Sequence, residues 1–377
     1  MHRTIRRTVV LVAGLLGLAL ACPPAWAAAQ GTLEIGAAAP DFSLPGVDGK
    51  TYTLESFRDA EVLVVIFTCN HCPTAQAYED RIKQLAADYK DKKVAVVAIS
   101  PNDPLAVRLD ELGYSDLTDS LEDMKIRAKD KAFNFPYLYD GETQKASRAY
   151  GCVATPHVFV FDKARKLRYT GRIDNSEKLD KPPTTRETRD AIEALLAGRA
   201  VLVETTKAVG CSTKWSDKRA SAKQSLEAWA KEPVDLKPID EAGVRALVKN
   251  DGQKARLIVV WATDAGPSVE ALAEFVTMNR MYRRRNFELI TLSADAPAAK
   301  DKVLETLKAK QASATNCLFD GGDKEKLLKA VDEKAAGALP HVVLVAPGGE
   351  VLYRKAGTID PLELKKAIVA FVGRTYK

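Results

Sequence analysis

Two cysteines separated by two residues occur in the segment Cys69-Asn70-His71-Cys72-Pro73 of this 377-residue chain. A dithiol that cycles through a disulfide needs two sulfurs close enough to bond, and one of them must be a thiolate at neutral pH. This spacing at the start of a helix meets the first need, and the free N–H groups and positive dipole end of the helix are expected to stabilise Cys69 as the thiolate. His71 can add positive charge or a hydrogen-bond donor, and Pro73 suits a first helical turn. The segment therefore predicts a redox-active Cys69–Cys72 pair.

The same spacing has two other interpretations. A zinc site needs more ligands, and no second cysteine pair lies at zinc-ligand spacing. A purely structural disulfide would close a very short loop and stabilise the fold little. We therefore expect neither a metal nor an organic cofactor, the redox group being the disulfide itself.

Two further cysteines have other expected roles. Cys152 lies four residues before Pro156; it is either a third thiol near the pair or a small buried apolar residue. Cys317 is isolated and is expected to be a core or loop thiol.

Apolar runs around the cysteine pair predict the elements that position it. The β-rich run Val62–Phe67 precedes the pair, and the helical face that follows carries Tyr78, Ile82, Leu85 and Tyr89. Later elements are a strand at 94–99, the tripeptide Thr155-Pro156-His157, a strand at 158–162 and a closing strand at 169–174. A strand, a helix, a second strand and a hairpin after proline form a βαβ unit followed by ββα.

The same order of features recurs in the second half of the chain. It consists of a strand at 257–261, a helix carrying Val269, Leu272 and Val276, a strand at 287–292, the tripeptide Leu339-Pro340-His341 and a strand at 342–345. Two copies of one unit predict two domains of similar architecture.

This order resembles the thioredoxin fold over nearly the whole chain after the first thirty residues. The opening Ala39-Pro40-Asp41-Phe42-Ser43-Leu44 is typical of the redoxin group, the AhpC/TSA and TlpA-like branch. The 69–73 segment is similar to a peroxiredoxin-related subfamily that tends to end in Gly-Cys-x-x-Lys-Trp, found here at 210–215. The resemblance implies an α/β fold with two tandem thioredoxin-like domains, each a mixed central sheet flanked by helices. It also makes Cys211 a candidate accessory thiol.

The resemblance implies roles for residues away from the cysteines. Pro156 would follow a cis peptide bond beside the dithiol, and Thr155 would offer its backbone to an extended substrate. Thioredoxins usually carry a buried acidic residue six positions before the first cysteine, and that position is Leu63 here. Proton transfer therefore uses another group, or exchange proceeds without such help.

The second copy resembles a TlpA-like domain that has lost both cysteines. Its tract reads Trp261-Ala262-Thr263-Asp264-Ala265-Gly266-Pro267-Ser268. Ala265 cannot act as a nucleophile, and Ser268 has no adjacent base visible in the sequence. We expect this domain to be catalytically silent and either to bind a partner or to shield the first domain.

The N-terminal residues predict an exported protein. A basic start with Arg3, Arg6 and Arg7 precedes an apolar run at 9–21, and Ala25-Trp26-Ala27 fits a cleavage site. These features predict a signal peptide over residues 1–29 and a periplasmic or secreted protein. The tract at 19–22 also resembles a weak lipoprotein box, which would make Cys22 a lipid anchor. No other segment approaches the roughly 18 apolar residues that span a bilayer.

Composition and breakers set the remaining boundaries. Hydrophobic residues make up 46% and charged residues 28%, which is ordinary for a globular protein, and the net charge of +6 gives no reason to invoke nucleic acid. We predict a redox-active domain at 33–215, a linker at 216–233 with a short helix around 224–231, and a domain without the cysteine pair at 234–377.

These observations favour an exported thiol–disulfide oxidoreductase. A substrate disulfide or dithiol would exchange through a mixed disulfide at Cys69, which Cys72 would resolve. The expected partners are protein thiols or disulfides and an electron donor or acceptor protein.

Two alternatives come from other classes. Cys72-Pro73-Thr74 is similar to the Cys-Pro-Thr of some peroxidases, but peroxiredoxins usually have a threonine two residues before this group and an arginine where Pro156 stands. Copper chaperones on this fold use C-x-x-x-C with a distant histidine, and the spacing here is one residue short.

Overall fold

The structure is a computed structural model that describes residues 31–178 and 180–376. The expected signal peptide at 1–29 and the lipid-anchor candidate Cys22 lie outside the described residues. Within the described ranges, no helix has both the length and the apolar character needed to cross a membrane.

The first domain is built on a five-stranded mixed sheet. Its strands, together with those of two small sheets, are β1 (Ser43–Pro45), β2 (Thr51–Thr53), β3 (Val62–Phe67), β4 (Val94–Ser100), β5 (Tyr137–Tyr139), β6 (Ala154–Thr155), β7 (His157–Phe161), β8 (Leu167–Gly171) and β9 (Cys211–Ser212). The main sheet has the order β5-β4-β3-β7-β8, while β1 pairs with β2 and β6 with β9. The β3–β4 and β4–β5 pairs are parallel, and β7 runs antiparallel to both β3 and β8.

Helices cover both faces of this sheet. They are α1 (Pro73–Tyr89), α2 (Leu121–Asp130), α3 (Lys145–Tyr150) and α4 (Glu187–Leu196), with 3-10 turns at Leu54–Phe57, Pro104–Ala106 and Leu109–Leu112. Strand β3 is buried along its whole length because its alternate residues enter two cores, Val62 facing one and Leu63 the other. The predicted face of α1 packs into the first of these cores, as expected.

The predicted linker is largely helical. A 3-10 turn at Ser216–Lys218 leads into α5 (Arg219–Ala230), which begins five residues earlier than the sequence indicated. The Arg219 side chain binds the buried carboxylate of Asp103 in the first domain. At the other end, Trp229 is buried beneath the Arg283 guanidinium of the second domain. These contacts explain the longer helix, since both of its ends are held by packing that the local sequence does not reveal.

The second domain repeats the architecture with six strands. They are β10 (Lys237–Ile239), β11 (Ala255–Trp261), β12 (Phe287–Ser293), β13 (Thr315–Phe319), β14 (His341–Val345) and β15 (Val351–Ala356), in the order β10-β13-β12-β11-β14-β15. The helices are α6 (Glu241–Lys249), α7 (Gly266–Tyr282), α8 (Lys300–Ala309), α9 (Lys324–Val331) and α10 (Pro361–Val372), with a 3-10 turn at Pro297–Ala299. Cis peptide bonds precede Pro156 and Pro340. The fold is therefore α/β with two tandem thioredoxin-like units, as predicted.

A loop of the first domain packs against the second domain. Leu112 belongs to the same buried apolar cluster as the core of the second domain. Nearby, the Tyr282 hydroxyl donates to the carbonyl oxygen of Ser115 at 2.8 Å, and the Arg374 guanidinium binds both oxygens of Asp116 at 2.6 and 2.9 Å. The second domain thus holds the segment that leads to Asp119, at the edge of the cysteine pair.

Candidate redox site

The cysteine pair lies between the end of β3 and the start of α1, as the spacing predicted. Helix α1 begins at Pro73, and Cys72 is its N-cap residue, with its sulfur 3.5 Å from the backbone nitrogen of Ala75. The side chains of Cys69 and Cys72 are both buried. The N–H group of Ala75, in the first turn of the helix, therefore points to Cys72, and the stabilisation of Cys69 by the helix end stays a prediction.

The surroundings of Cys72 favour its thiolate. Burial opposes ionisation, but hydrogen bonds from the thiols of Cys211 and Cys69 and the charge of His71 outweigh it, so the pKa of Cys72 falls well below its ordinary value. The backbone nitrogen of Cys211 also donates to the Cys72 sulfur at 3.4 Å. These contacts therefore favour the ionised form of the second cysteine of the pair.

Cys69 has the opposite character. Its sulfur lies 3.2 Å from the hydroxyl of Thr155. Burial, together with the negative charges of Asp119 and Cys72, raises the pKa of Cys69 well above its ordinary value. The directions of the two pKa shifts therefore favour a thiol at Cys69 beside a thiolate at Cys72, whereas the sequence predicted the thiolate at Cys69.

His71 is part of a buried ion pair with Asp119. One carboxylate oxygen, Oδ2, lies 2.5 Å from His71 Nδ1 and accepts the Asn102 amide at 2.8 Å. The other, Oδ1, accepts the backbone N–H groups of Asn70 at 2.8 Å and His71 at 3.1 Å. Although burial opposes both charges, Asp119 raises the pKa of His71 and His71 lowers the pKa of Asp119. The Asp119 carboxylate therefore favours the positive charge that the sequence predicted for His71.

Asp119 is the main site residue that the sequence did not reveal. It lies in a polar loop directly before Ser120, the N-cap of α2, and 48 residues from His71. Leu63, at the position where thioredoxins carry an acid, is fully buried in the apolar core. The acidic group beside the cysteines thus comes from another element, and no periodicity or short spacing in the sequence marks it.

Cys69, His71 and Asp119 place three potential metal-ligand atoms within 4.8 Å of one another, the one such group among the described residues. Each oxygen of Asp119 already accepts two N–H donors. A cation would have to displace these donors, so the arrangement fits an ion pair better than a metal centre.

Thr155 and Pro156 lie beside the cysteines, as the resemblance implied. The carbonyl oxygen of Thr155 is 3.3 Å from the Cys72 sulfur. However, the backbone of Thr155 pairs with Cys211, because β6 and β9 form an antiparallel pair with these two residues opposite each other. The edge expected to receive an extended substrate is therefore already occupied by residues 211–212 of the same chain.

The two candidate accessory thiols differ in position. Cys211 is partly exposed and packs against Cys69 and Cys72. Cys152 lies in the apolar core with its sulfur 3.3 Å from the Thr213 hydroxyl, and burial raises its pKa to about 12. The structure thus brings Cys211 to the pair and gives Cys152 the surroundings of a core residue.

The corresponding position in the second domain contains no thiol. Ala265 precedes α7, and the buried Ser268 hydroxyl lies 2.7 Å from the carbonyl oxygen of Ala265 and 3.1 Å from that of Ala262. Cys317, the one cysteine of this domain, is buried in a separate apolar cluster.

Residues 35–170 match the AhpC/TSA family. Alkyl hydroperoxide reductase E of Mycobacterium tuberculosis and Mycobacterium bovis is 28% identical over 176 residues, which cover 44% of this chain and 99% of that protein.

Two solved structures also match about half of the chain. A hypothetical protein from Sinorhizobium meliloti 1021 is 33% identical, with 49% of this chain and 97% of that chain covered and a TM-score of 0.45. An uncharacterized conserved protein from Geobacillus kaustophilus is 38% identical, with 48% and 93% covered and a TM-score of 0.44.

Proposed function

We propose that this protein, whose residues 35–170 match the AhpC/TSA family, is a thiol–disulfide oxidoreductase whose redox group is the Cys69–Cys72 dithiol. The observation that carries the proposal is the position of the pair at the start of α1, where Cys72 is the N-cap residue and both sulfurs lie within 3.3 Å of Thr155. A thiolate attacks a disulfide, and a neighbouring thiol then resolves the mixed disulfide. The Cys69–Cys72 pair can supply both the thiolate and the thiol.

We propose roles within the pair that follow from the place of Cys72 as the N-cap residue of α1 and from the direction of the pKa shifts. The Cys72 thiolate attacks one sulfur of a disulfide, the S–S bond breaks, and the other sulfur leaves as a thiolate. Cys69 then loses its proton and attacks the Cys72 sulfur, which releases the second sulfur and leaves a Cys69–Cys72 disulfide. These roles are the reverse of those that the spacing alone suggested. The steps are reversible, so the same pair can also oxidise a dithiol.

Reduction of insulin disulfides with dithiothreitol as the electron source tests this function. Cys69→Ser and Cys72→Ser are each expected to abolish catalysed reduction, because each removes one sulfur of the pair. Cys317→Ser is the matched control and should retain full activity, since Cys317 is buried in the second domain. Turnover that persists in either of the first two variants would contradict the proposal.

A thiol peroxidase is the second candidate, and the thiolate at the start of α1 is the observation that favours it. Cys72 is fully buried, so a small peroxide has better access to its sulfur than a protein does. The Cys72 thiolate would break the O–O bond to give a sulfenic acid and an alcohol, and the Cys69 thiol would then form the disulfide and release water. Consumption of hydrogen peroxide that depends on Cys72 and a thiol donor would support this candidate over the first.

We propose that the protein works in the periplasm or outside the cell on protein thiols and disulfides. The basic and apolar residues before position 30 support export, and a dithiol of this kind can remain oxidised in such a compartment. Whether the first thirty residues direct export can be tested by fusing them to a reporter that is active only after export.

We further propose that the second domain supports the redox site without taking part in exchange. It binds Ser115 and Asp116 directly, a few residues before Asp119. Its Tyr376 ring packs edge-on against Tyr114 with ring centres 5.1 Å apart. The sequence left two roles open for the second domain, partner binding and shielding of the first domain. These contacts favour shielding.

A further inference from the structure

We infer that Cys211 is a third redox residue, which exchanges disulfides with Cys72 and is the sulfur that an external substrate meets. This inference rests on the proposed function of the Cys69–Cys72 pair and adds the route by which that pair communicates with a substrate. Under this inference the Cys211 sulfur itself forms and breaks disulfide bonds.

Accessibility is the first observation. The side chains of Cys69 and Cys72 are 3% and 0% exposed, whereas Cys211 is partly exposed. Thiol–disulfide exchange requires direct contact between the attacking sulfur and the sulfur under attack. A protein substrate therefore makes that contact far more readily with the partly exposed Cys211 than with the fully buried Cys72.

The backbone geometry around Cys211 is the second observation. Residues 211–212 form β9 and pair antiparallel with β6 at Thr155, which is the place and the manner in which an extended substrate was expected to bind. A Cβ added to Gly210 would lie 1.9 Å from the carbonyl oxygen of Thr155, so only glycine permits this close approach. The chain therefore places its own cysteine where the cysteine of a substrate strand would lie.

The contacts between Cys211 and Cys72 are the third observation. The side chain of Cys211 packs against the buried cluster that Cys69, Cys72 and Ala75 form. The backbone nitrogens of Ala75 and Cys211 lie 3.5 and 3.4 Å from the Cys72 sulfur. These donors stabilise Cys72 both as an attacking thiolate and as a leaving group, which are the two roles that a relay requires of the central sulfur.

The relay balances as three exchanges. With Cys69–Cys72 oxidised, the Cys211 thiol loses its proton and its sulfur attacks the Cys72 sulfur, the Cys69–Cys72 bond breaks, and Cys69 leaves as a thiolate and takes up a proton. A substrate thiolate then attacks the Cys211 sulfur and releases the Cys72 thiolate. A second substrate thiolate attacks the substrate sulfur, which yields a substrate disulfide and free Cys211. Two substrate thiols are oxidised as one protein disulfide is reduced, and a substrate disulfide is reduced by the reverse sequence.

The occupied edge also limits the class of substrate. An extended peptide cannot add a strand beside Thr155 while β9 is in place. Partial burial, followed by the charges of Cys211 and Cys72, raises the pKa of Tyr376, whose side chain is still 52% exposed. The expected substrates are therefore small disulfides, such as oxidised glutathione, and disulfides on exposed loop tips.

Disulfide mapping in the full chain tests the geometry of the relay. The Cys69→Ser variant is treated with oxidised glutathione, quenched with acid, alkylated and digested, and its disulfides are assigned by mass spectrometry. We expect a Cys72–Cys211 disulfide as the main product, also in the control with Cys152→Ser added. Glutathione attached to Cys72 beside a free Cys211 would overturn the inference.

Exchange kinetics test the role of the relay. Cys211→Ser and, as a second variant, Cys211→Ala are expected to slow the approach to equilibrium with glutathione at least tenfold. Their Cys69–Cys72 pair should still form a disulfide completely after long incubation, which also reports that the site has folded. A wild-type rate in both variants would overturn the relay. Failure of the wild-type protein to form a Cys69–Cys72 disulfide would instead overturn the proposed function.

Discussion

Asp119 Oδ2 lies 2.5 Å from His71 Nδ1, and the same carboxylate accepts the backbone N–H group of His71 at 3.1 Å. One side chain therefore fixes both the ring and the backbone of the loop between the two cysteines. The pair is buried, so solvent screens its charges little. It keeps a positive ring beside Cys72 and links the redox site to the loop that the second domain holds.

The position of the thiolate is the first prediction. Cys72 has a lowered pKa and Cys69 a raised one, so the ultraviolet absorbance of a thiolate at neutral pH should persist in Cys69→Ser and disappear in Cys72→Ser. A pH titration of this absorbance measures the effect, with Cys317→Ser as the control. Loss of the signal in Cys69→Ser alone would restore the roles that the spacing suggested.

The second prediction concerns stability against pH. The pKa of His71 is raised above its ordinary 6.5, so its contribution is fully present below pH 6.5 and is lost as pH rises through the raised value. The pKa of Asp119 is lowered below its ordinary 3.8, so its contribution is fully present above that pH and is lost as pH falls through the lowered value. The pair should stabilise the protein most between about pH 4 and 6.5.

Asp119→Asn checks this pH dependence through denaturant unfolding at several pH values. Removing one charge of a buried pair should lower the free energy of unfolding by about 3–5 kcal/mol, with the largest difference from wild type inside that window. Asp59→Asn, at a solvent-exposed carboxylate, should change it by less than about 0.5 kcal/mol. A difference from wild type that does not vary with pH would show that the lost hydrogen bonds, and not the charges, carry the effect.

The third prediction concerns the close approach at Gly210. In Gly210→Ala the new Cβ would clash with the Thr155 carbonyl oxygen, so β9 must move away from β6. We expect a loss of about 1–3 kcal/mol in the free energy of unfolding and faster alkylation of Cys72. Gly266→Ala is the matched control, since a Cβ there meets nothing within 4 Å. Equal behaviour of the two variants would argue against tight β6–β9 pairing.

The fourth prediction concerns the contact between the domains. Arg374→Ala leaves the Asp116 carboxylate, which is 2% exposed, without its bidentate partner. We expect the free energy of unfolding to fall by about 3 kcal/mol, which is near the lower end of the loss found when one partner of a buried ion pair is removed. The loss is not larger because Arg127 lies 3.9 Å from Asp116 and compensates in part. Unfolding in urea measures this change. Arg245→Ala, at an exposed pair, should be nearly neutral, and a neutral Arg374→Ala would contradict a tight interface.

Local patterns in the sequence determined the architecture. The apolar run at 62–67, the helical face through Tyr78 and Tyr89, and the proline at 156 each predicted an element that the structure contains. Such features depend on neighbouring residues, because strand and helix periodicity and the missing N–H of proline act within a few positions. The second copy could be recognised for the same reason, although both of its cysteines are absent.

The chemistry of the site was decided by the tertiary structure. Asp119 reaches His71 across 48 residues, and Cys211 reaches Cys72 across 139. No spacing rule connects residues so far apart, since their proximity depends on how strands and loops pack. The directions of the two pKa shifts depend on the same packing, because burial, one ion pair and a few N–H donors lower the pKa of Cys72 and raise that of Cys69. The sequence located the two sulfurs, and only the folded chain distinguished them.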